Sequence, residues 1–260
     1  ETAVEVNTLF KPEVTLASGA AYTLSIVSVP AGAETPTVED NAFTPDRLGE
    51  YGYKIVASKS GRENEEYSGK VTAVDTTGPV VSGEVKSFNI PKGETLTFAE
   101  MLEGLTYSDN YDTQISAPVF ARLTRGGSAV EVPADSTEYT FAAAGNYEAV
   151  FTVSDSSANT TEISVSVTVG GLDIADSSDR LAYVGDTLVL PEFSIIPENS
   201  GTVKIFFDDE EISADALPVF DTDDVGEHTL AIYYYLNEND GSEPDDSVAI
   251  KITVENIEIT

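Results

Sequence analysis

The sequence predicts an all-β protein built as three tandem β-sandwich domains in an elongated array. The first reason is a segment written three times: Phe43-Thr-Pro-Asp-Arg-Leu-Gly49-Glu-Tyr51, Tyr139-Thr-Phe-Ala-Ala-Ala-Gly145-Asn-Tyr147 and Phe220-Asp-Thr-Asp-Asp-Val-Gly226-Glu-His228. Each copy places an aromatic six residues before a glycine and a Tyr or His two residues after it. Such self-similarity marks one structural unit used repeatedly. The second reason is strict alternation of apolar residues after each glycine, the period of a strand with one buried face. The third is a second alternating segment beyond a polar loop in every copy, so that each unit ends in a β-hairpin.

Taken in order, the first unit opens weakly with Leu16-Ala-Ser-Gly19 ahead of Tyr22, Leu24 and Ile26. Its repeated strand presents Tyr51, Tyr53, Ile55 and Ala57 on one face, and Tyr67 to Val74 returns beside it. The second unit opens on Ile90-Pro-Lys-Gly93-Glu-Thr-Leu96-Thr-Phe98, a glycine turn feeding a strand, with one helical turn expected within Phe98 to Leu105. Its inward set is Tyr147, Ala149, Phe151 and Val153, followed by Ile163, Val165, Val167 and Val169 alternating with Ser164, Ser166 and Thr168. The third opens on Tyr183-Val-Gly185-Asp-Thr-Leu188, continues with His228, Leu230, Ile232 and Tyr234, and closes with Ser247 to Val254. Turn-forming loops at Ser58 to Glu66, Asp155 to Thr160 and Asn237 to Asp246 join the hairpin strands. Turn residues at Thr76-Thr-Gly-Pro79 and Gly170-Gly171 separate the patterns, giving domains 1–77, 78–170 and 171–260. Sheets with one apolar face must pack face to face, one sandwich per unit. The chain opens within a pattern at Glu1 and ends just after a strand, so it reads as a fragment whose signal or anchor would lie outside it.

Composition bounds the function. The 260 residues carry 13 Lys and Arg against 46 Asp and Glu, a formal charge of −33. Nucleic acid and anionic membrane surfaces are repelled by such a field. No apolar run is long enough to span a bilayer. The absence of Cys excludes disulfides and thiolate metal sites, and the core has no Trp to anchor it.

A glycine followed two residues later by Tyr, at the head of an alternating strand, resembles the tyrosine corner of immunoglobulin-like sandwiches, in which the hydroxyl ties the strand to the preceding corner. The cysteine expected two residues further on is replaced by Tyr53, Ala149 and Leu230. The middle unit is closer to a named group. Its Tyr107-Ser-Asp109-Asn110-Tyr-Asp112, followed by Gly145-Asn-Tyr147-Glu-Ala-Val-Phe-Thr-Val153-Ser-Asp155-Ser-Ser-Ala-Asn159, resembles the bacterial immunoglobulin-like (Big-type) repeats of cell-surface proteins. Ala158 stands where those repeats carry glycine. The resemblance covers most of residues 80–169 and implies an exported stalk or adhesive module without an activity of its own.

Candidate chemistry is sparse. His228 is the one histidine and occupies the place of Tyr51 and Tyr147, so it reads as a corner residue making the same hydrogen bond; a catalytic triad has no other base. Calcium is the cofactor to consider, because it takes six to eight oxygens from converging loops. Asp109, Asn110, Asp112 and Asp155 are the candidate ligands, with further acid runs at Asp208 to Glu211 and at Asp221, Asp223 and Asp224. No EF-hand spacing occurs, and Asn237-Glu-Asn-Asp-Gly241 falls short of one. Tyr233 and Tyr235, out of register with the core, would face outward or into a neighbouring unit and could stack on a ligand. The expectation is a monomeric, non-catalytic fragment of an extracellular or cell-surface protein. It would serve as a structural spacer, or alternatively as an adhesive module for a glycan or extracellular protein, or as an accessory region of a larger secreted enzyme.

Overall fold

The computed structural model of the chain describes residues 2–236 and 243–256. Most of the predicted loop Asn237 to Asp246, including Asn237-Glu-Asn-Asp-Gly241, lies outside the described residues. The earliest strands are β1 (Thr2–Glu5), β2 (Ala21–Ser28), β3 (Gly49–Ser58) and β4 (Glu65–Val74). Next come β5 (Val80–Ser82), β6 (Ser87–Pro91), β7 (Thr95–Thr97), the short helix α1 (Phe98–Met101), β8 (Thr106–Ser108) and β9 (Val119–Arg125). They are followed by β10 (Ser128–Val130), β11 (Glu138–Thr140), β12 (Gly145–Ser154) and β13 (Thr160–Ile174). The last group is β14 (Arg180–Tyr183), β15 (Phe193–Ile196), β16 (Thr202–Phe207), β17 (Glu210–Ile212), β18 (Gly226–Tyr235) and β19 (Asp246–Glu255). No helix among the described residues is long and apolar enough to cross a membrane. Contacts divide the chain into two compact units: Glu1–Gly83 with Leu105–Val119 and Thr152–Ile163, and Glu84–Gly104 with Phe120–Phe151 and Ser164–Thr260.

In the first unit the sheet runs β1-β4-β3-β2, with β1 parallel to β4 and the other pairs antiparallel. Alternation does what the pattern requires: Tyr51, Tyr53 and Ile55 turn inward with Leu24, Val71 and Ala73. Phe10 and Phe43 close this core from the opposite layer, bridged to each other with their rings edge to face at 5.4 Å. Gly69 lies opposite Tyr53 in the ladder, where a side chain would collide with the tyrosine ring. The unit also contains the antiparallel pair β5–β8 and the β12–β13 hairpin end.

The second unit repeats that sheet twice. One copy is ordered β6-β13-β12-β9-β10 and the other β14-β19-β18-β16-β17. In both, the opening strand joins the closing strand in parallel. The opposing layer is the β7–β11 pair in one copy and the bridge of Thr187 with Val219 in the other. This is the sheet of an immunoglobulin-like sandwich, with the strand after each corner between the closing strand and an earlier one and the opening strand added at the edge. The expected helical turn is α1, closed by a capping box in which the Thr97 hydroxyl accepts from the Glu100 N–H and the Glu100 carboxylate accepts from the Thr97 N–H.

The three corners share one bond. The Tyr51 hydroxyl lies 3.1 Å from the Arg47 carbonyl oxygen, Tyr147 donates to the Ala143 carbonyl at 2.7 Å, and His228 Nε2 lies 2.6 Å from the Asp224 carbonyl. Each acceptor belongs to the residue four positions earlier, so histidine does replace tyrosine as expected. The threading of the aromatic needs correction. The ring that packs beneath the middle corner is Phe141, fully buried and 5.0 Å from Tyr147, not Tyr139. Phe141 bonds the backbone of Gly93 and Glu94 as Phe220 bonds Gly185 and Asp186. The middle corner is thus two residues shorter, because the other corners carry extra turn residues such as the 3₁₀ turn Thr222–Asp224.

Gly170-Gly171, expected as a turn, does not form one. The pair lies inside β13, which pairs with β6 through Gly170 and then with β15 from Gly171 to Ile174. Gly170 is required by a neighbour rather than a turn: a side chain there, as at Gly201, would run into Tyr234. Tyr234 is fully buried, with its hydroxyl 3.1 Å from the Ser200 carbonyl. Gly170→Ala should therefore lower stability by about 1–3 kcal/mol through overpacking, read from urea unfolding, and Tyr234→Phe in the same background should recover part of the loss.

The histidine corner differs from the others in charge. Its Nδ1 lies 2.6 Å from Asp208 Oδ2 while Nε2 faces the Asp224 carbonyl, so both nitrogens must donate and the ring is an imidazolium. Phe207 stacks on it at 5.2 Å. The hydrogen bond to Asp208 pushes its pKa up, opposed by burial and helped by the Asp224 carbonyl. A raised folded value means that the stabilisation is whole below the unfolded value of about 6.5 and fades as pH rises through the folded one. Urea midpoints should thus fall as pH rises above about 6.5, and His228→Tyr should flatten that slope; a flat profile in the unaltered chain would disprove the charged corner.

Candidate metal centre

In the first unit, three stretches of chain bring carboxylates together. Asp75 follows β4, Asp109 and Asp112 belong to the turn after β8, and Asp155 opens the loop between β12 and β13. The Asp109 Oδ2 accepts the N–H groups of Tyr111 at 2.8 Å and Asp112 at 3.0 Å, an Asx turn that fixes the loop. Asp112 in turn accepts from the Ser156 N–H at 2.7 Å and its hydroxyl at 2.9 Å. Asp155 accepts from the N–H and the side-chain amide of Asn159, both at 2.8 Å, and that amide also reaches the Asp75 carbonyl at 3.2 Å. These donors are all neutral.

Asp75, Asp112 and Asp155 each place a carboxylate oxygen within 4.8 Å of the other two. At that spacing each pair of charges repels by about 3 kcal/mol at an effective dielectric of about 20. Asp75 is only 8% exposed, and its Oδ2 has no hydrogen-bond partner. Asp109 Oδ1 is buried and unpartnered too. Burial pushes the Asp75 carboxyl above its ordinary value; the Ser157 hydroxyl and Thr77 N–H oppose this, while the charges of Asp109 and Asp155 add to it. The Ser157 hydroxyl stands beside Asp75 but outside good hydrogen-bonding geometry.

Of the four residues expected from sequence, the structure gathers Asp112 and Asp155, with Asp109 near enough for its charge to act on Asp75. Asn110 does not join them: its amide donates to Glu5 Oε1 at 3.1 Å, and its carbonyl accepts from Asn7. Burial acts to raise the Glu5 carboxyl, but bonds from Thr76, Thr77 and Asn110 prevail and hold it at about 2. Asp75 was missing from the sequence-based set, although the signal was present. It continues the inward register Val71, Ala73, and so places an acid on the buried face.

The remaining candidates fall elsewhere. Asp208 pairs with His228, and Asp221 and Asp224 form the capping box of the 3₁₀ turn. Tyr235 is buried at 7% exposure, so of the two placements expected for it the outward one, with its ring free to stack on a ligand, does not hold, and Tyr233 packs its ring 5.1 Å from Phe206.

No protein-family model matches the chain, and no curated protein matches it. Among solved structures, a three-immunoglobulin fragment of titin is 13% identical, covering 99% of this chain and 95% of that one with a TM-score of 0.42. The complex of Dpr2 Ig1-Ig2 with DIP-Theta Ig1-Ig3 is also 13% identical, covering 98% and 96%, with a TM-score of 0.41. The three N-terminal domains of the outer capsid protein Hoc of bacteriophage RB49 are 11% identical, covering 98% and 96%, with a TM-score of 0.36.

Ala158 stands in the Asp155–Asn159 loop at φ 67°, a left-handed conformation that costs a residue with a Cβ roughly 1–2 kcal/mol. This accounts for the glycine expected there. Ala158→Gly should raise stability by about 1 kcal/mol, less the entropy gained by the unfolded chain; an unchanged urea midpoint would show that the loop bears no strain.

Proposed function

We propose that the chain is a non-catalytic structural part of an exported cell-surface protein, holding other parts away from the cell. The observation that carries this reading is the threefold use of one sandwich, in which the ring of each corner bonds the backbone carbonyl four residues earlier. The bacterial immunoglobulin-like pattern of the middle segment supports export, and the acidic surface supports solubility without nucleic-acid or membrane binding. A spacer should be long. Three strands of ten residues set end to end span roughly 100 Å. Solution scattering should then give a radius of gyration of about 30 Å, whereas about 18 Å, the value for a compact globule of this length, would overturn the spacer.

A groove favours the adhesive alternative. In the first unit an opening of about 1040 Å³ is lined by Lys11, Tyr53, Lys59, Arg62, Glu65 and Tyr67. Tyr67 is 63% exposed there, and an exposed ring among polar side chains suits a sugar or an extracellular protein. A glycan and matrix-protein panel decides between the readings: a hit lost in Tyr67→Ala makes the chain adhesive, and a blank panel supports the spacer.

A further inference from the structure

We propose that Asp75, Asp109, Asp112 and Asp155 form a calcium site that ties the end of β4 to the loops after β8 and β12. Two independent observations meet here. The first is the clustering itself, with three carboxylate oxygens within 4.8 Å of one another. The second is Asp75: nine-tenths buried, aimed into the cluster, and carrying an oxygen without a partner. A buried carboxylate oxygen among like charges is costly unless a cation neutralises it. The Ser156 and Asn159 donors are engaged on Asp112 and Asp155, and the Ser157 hydroxyl beside Asp75 makes no hydrogen bond to it, so hydrogen bonding does not meet that need.

The chemistry of the donors selects the ion. The set offers oxygen only, which disfavours zinc and other metals that take nitrogen or sulfur. Calcium–oxygen bonds of about 2.4 Å place ligands on opposite sides of the ion about 4.8 Å apart, the span within which these oxygens fall. Magnesium, at about 2.1 Å, demands a tighter octahedron and keeps its waters. Four carboxylates leave places for water in a shell of six to eight, which points to the affinity of an extracellular module, about 0.1–1 mM. Asp75 leads directly into Thr76-Thr77-Gly78-Pro79, so the ion would hold that segment at its start. The inference stands apart from the choice between spacer and adhesive module.

The test is a calorimetric titration of the EDTA-stripped chain with calcium chloride in about 0.15 M KCl, where diffuse attraction to the acidic surface is screened. One saturable site is expected, with magnesium at least about tenfold weaker. Asp75→Asn and Asp112→Asn should each abolish it, while Asp221→Asn, an acid outside the cluster, should leave it intact. Proteolysis within Asp75–Pro79 should slow about tenfold when calcium is added. No saturable heat up to about 10 mM calcium would overturn the site whatever the variants do, as would undiminished binding in a folded Asp75→Asn chain.

Discussion

A ring bonded to the carbonyl four residues behind it sets the geometry of each sandwich. The bond fixes the approach of the strand that follows the glycine, and that strand is central in its sheet, flanked by the closing strand on one side and an earlier strand on the other. Once its register is set, alternation decides which residues turn inward, since a slip of one position would exchange the two faces. The aromatic beneath the ring (Phe43, Phe141 or Phe220) then joins the opposing layer to the corner. With no cysteine to cross-link the layers, packing and this bond hold them together.

The same bond tolerates a change of chemistry. Tyrosine offers one hydroxyl and needs one acceptor; histidine has two nitrogens and brings a second partner, Asp208. Asp208 also accepts the Thr229 N–H at 2.8 Å, so it is anchored before the ring reaches it. The outcome is a charged corner stacked on Phe207. Such a substitution is not neutral, because it couples a structural bond to proton concentration.

Much of this architecture was legible from periodicity. The inward faces of β3, β12 and β18, the hairpins and the histidine corner follow from spacing alone, because each is a local consequence of the pleat. What was misread depends on contacts distant in sequence. Tyr139 and Phe141 are both aromatic and near the same glycine, and only the pairing of Phe141 with Gly93 and Glu94 distinguishes them. Gly170-Gly171 looks like a turn until Tyr234, far along the chain, is found against it. Of the acidic cluster, the loop members stood out because Asp and Asn crowd a turn, whereas Asp75 was hidden as a strand end. Its position two residues past Ala73 was the overlooked sign. Tyr235 shows the limit of alternation, since it is buried although it falls on the face opposite Tyr234.

The continuity of β13 has a mechanical consequence. A strand that is bonded to β6 along one stretch and to β15 along the next carries load without an intervening loop. Pull applied along its length shears two ladders, and the several hydrogen bonds of each must yield together rather than one at a time. The buried Tyr234, seated against the glycine where the two ladders meet, resists the same sliding by shape. Tension would therefore meet a spliced joint at Gly170-Gly171 and not a hinge.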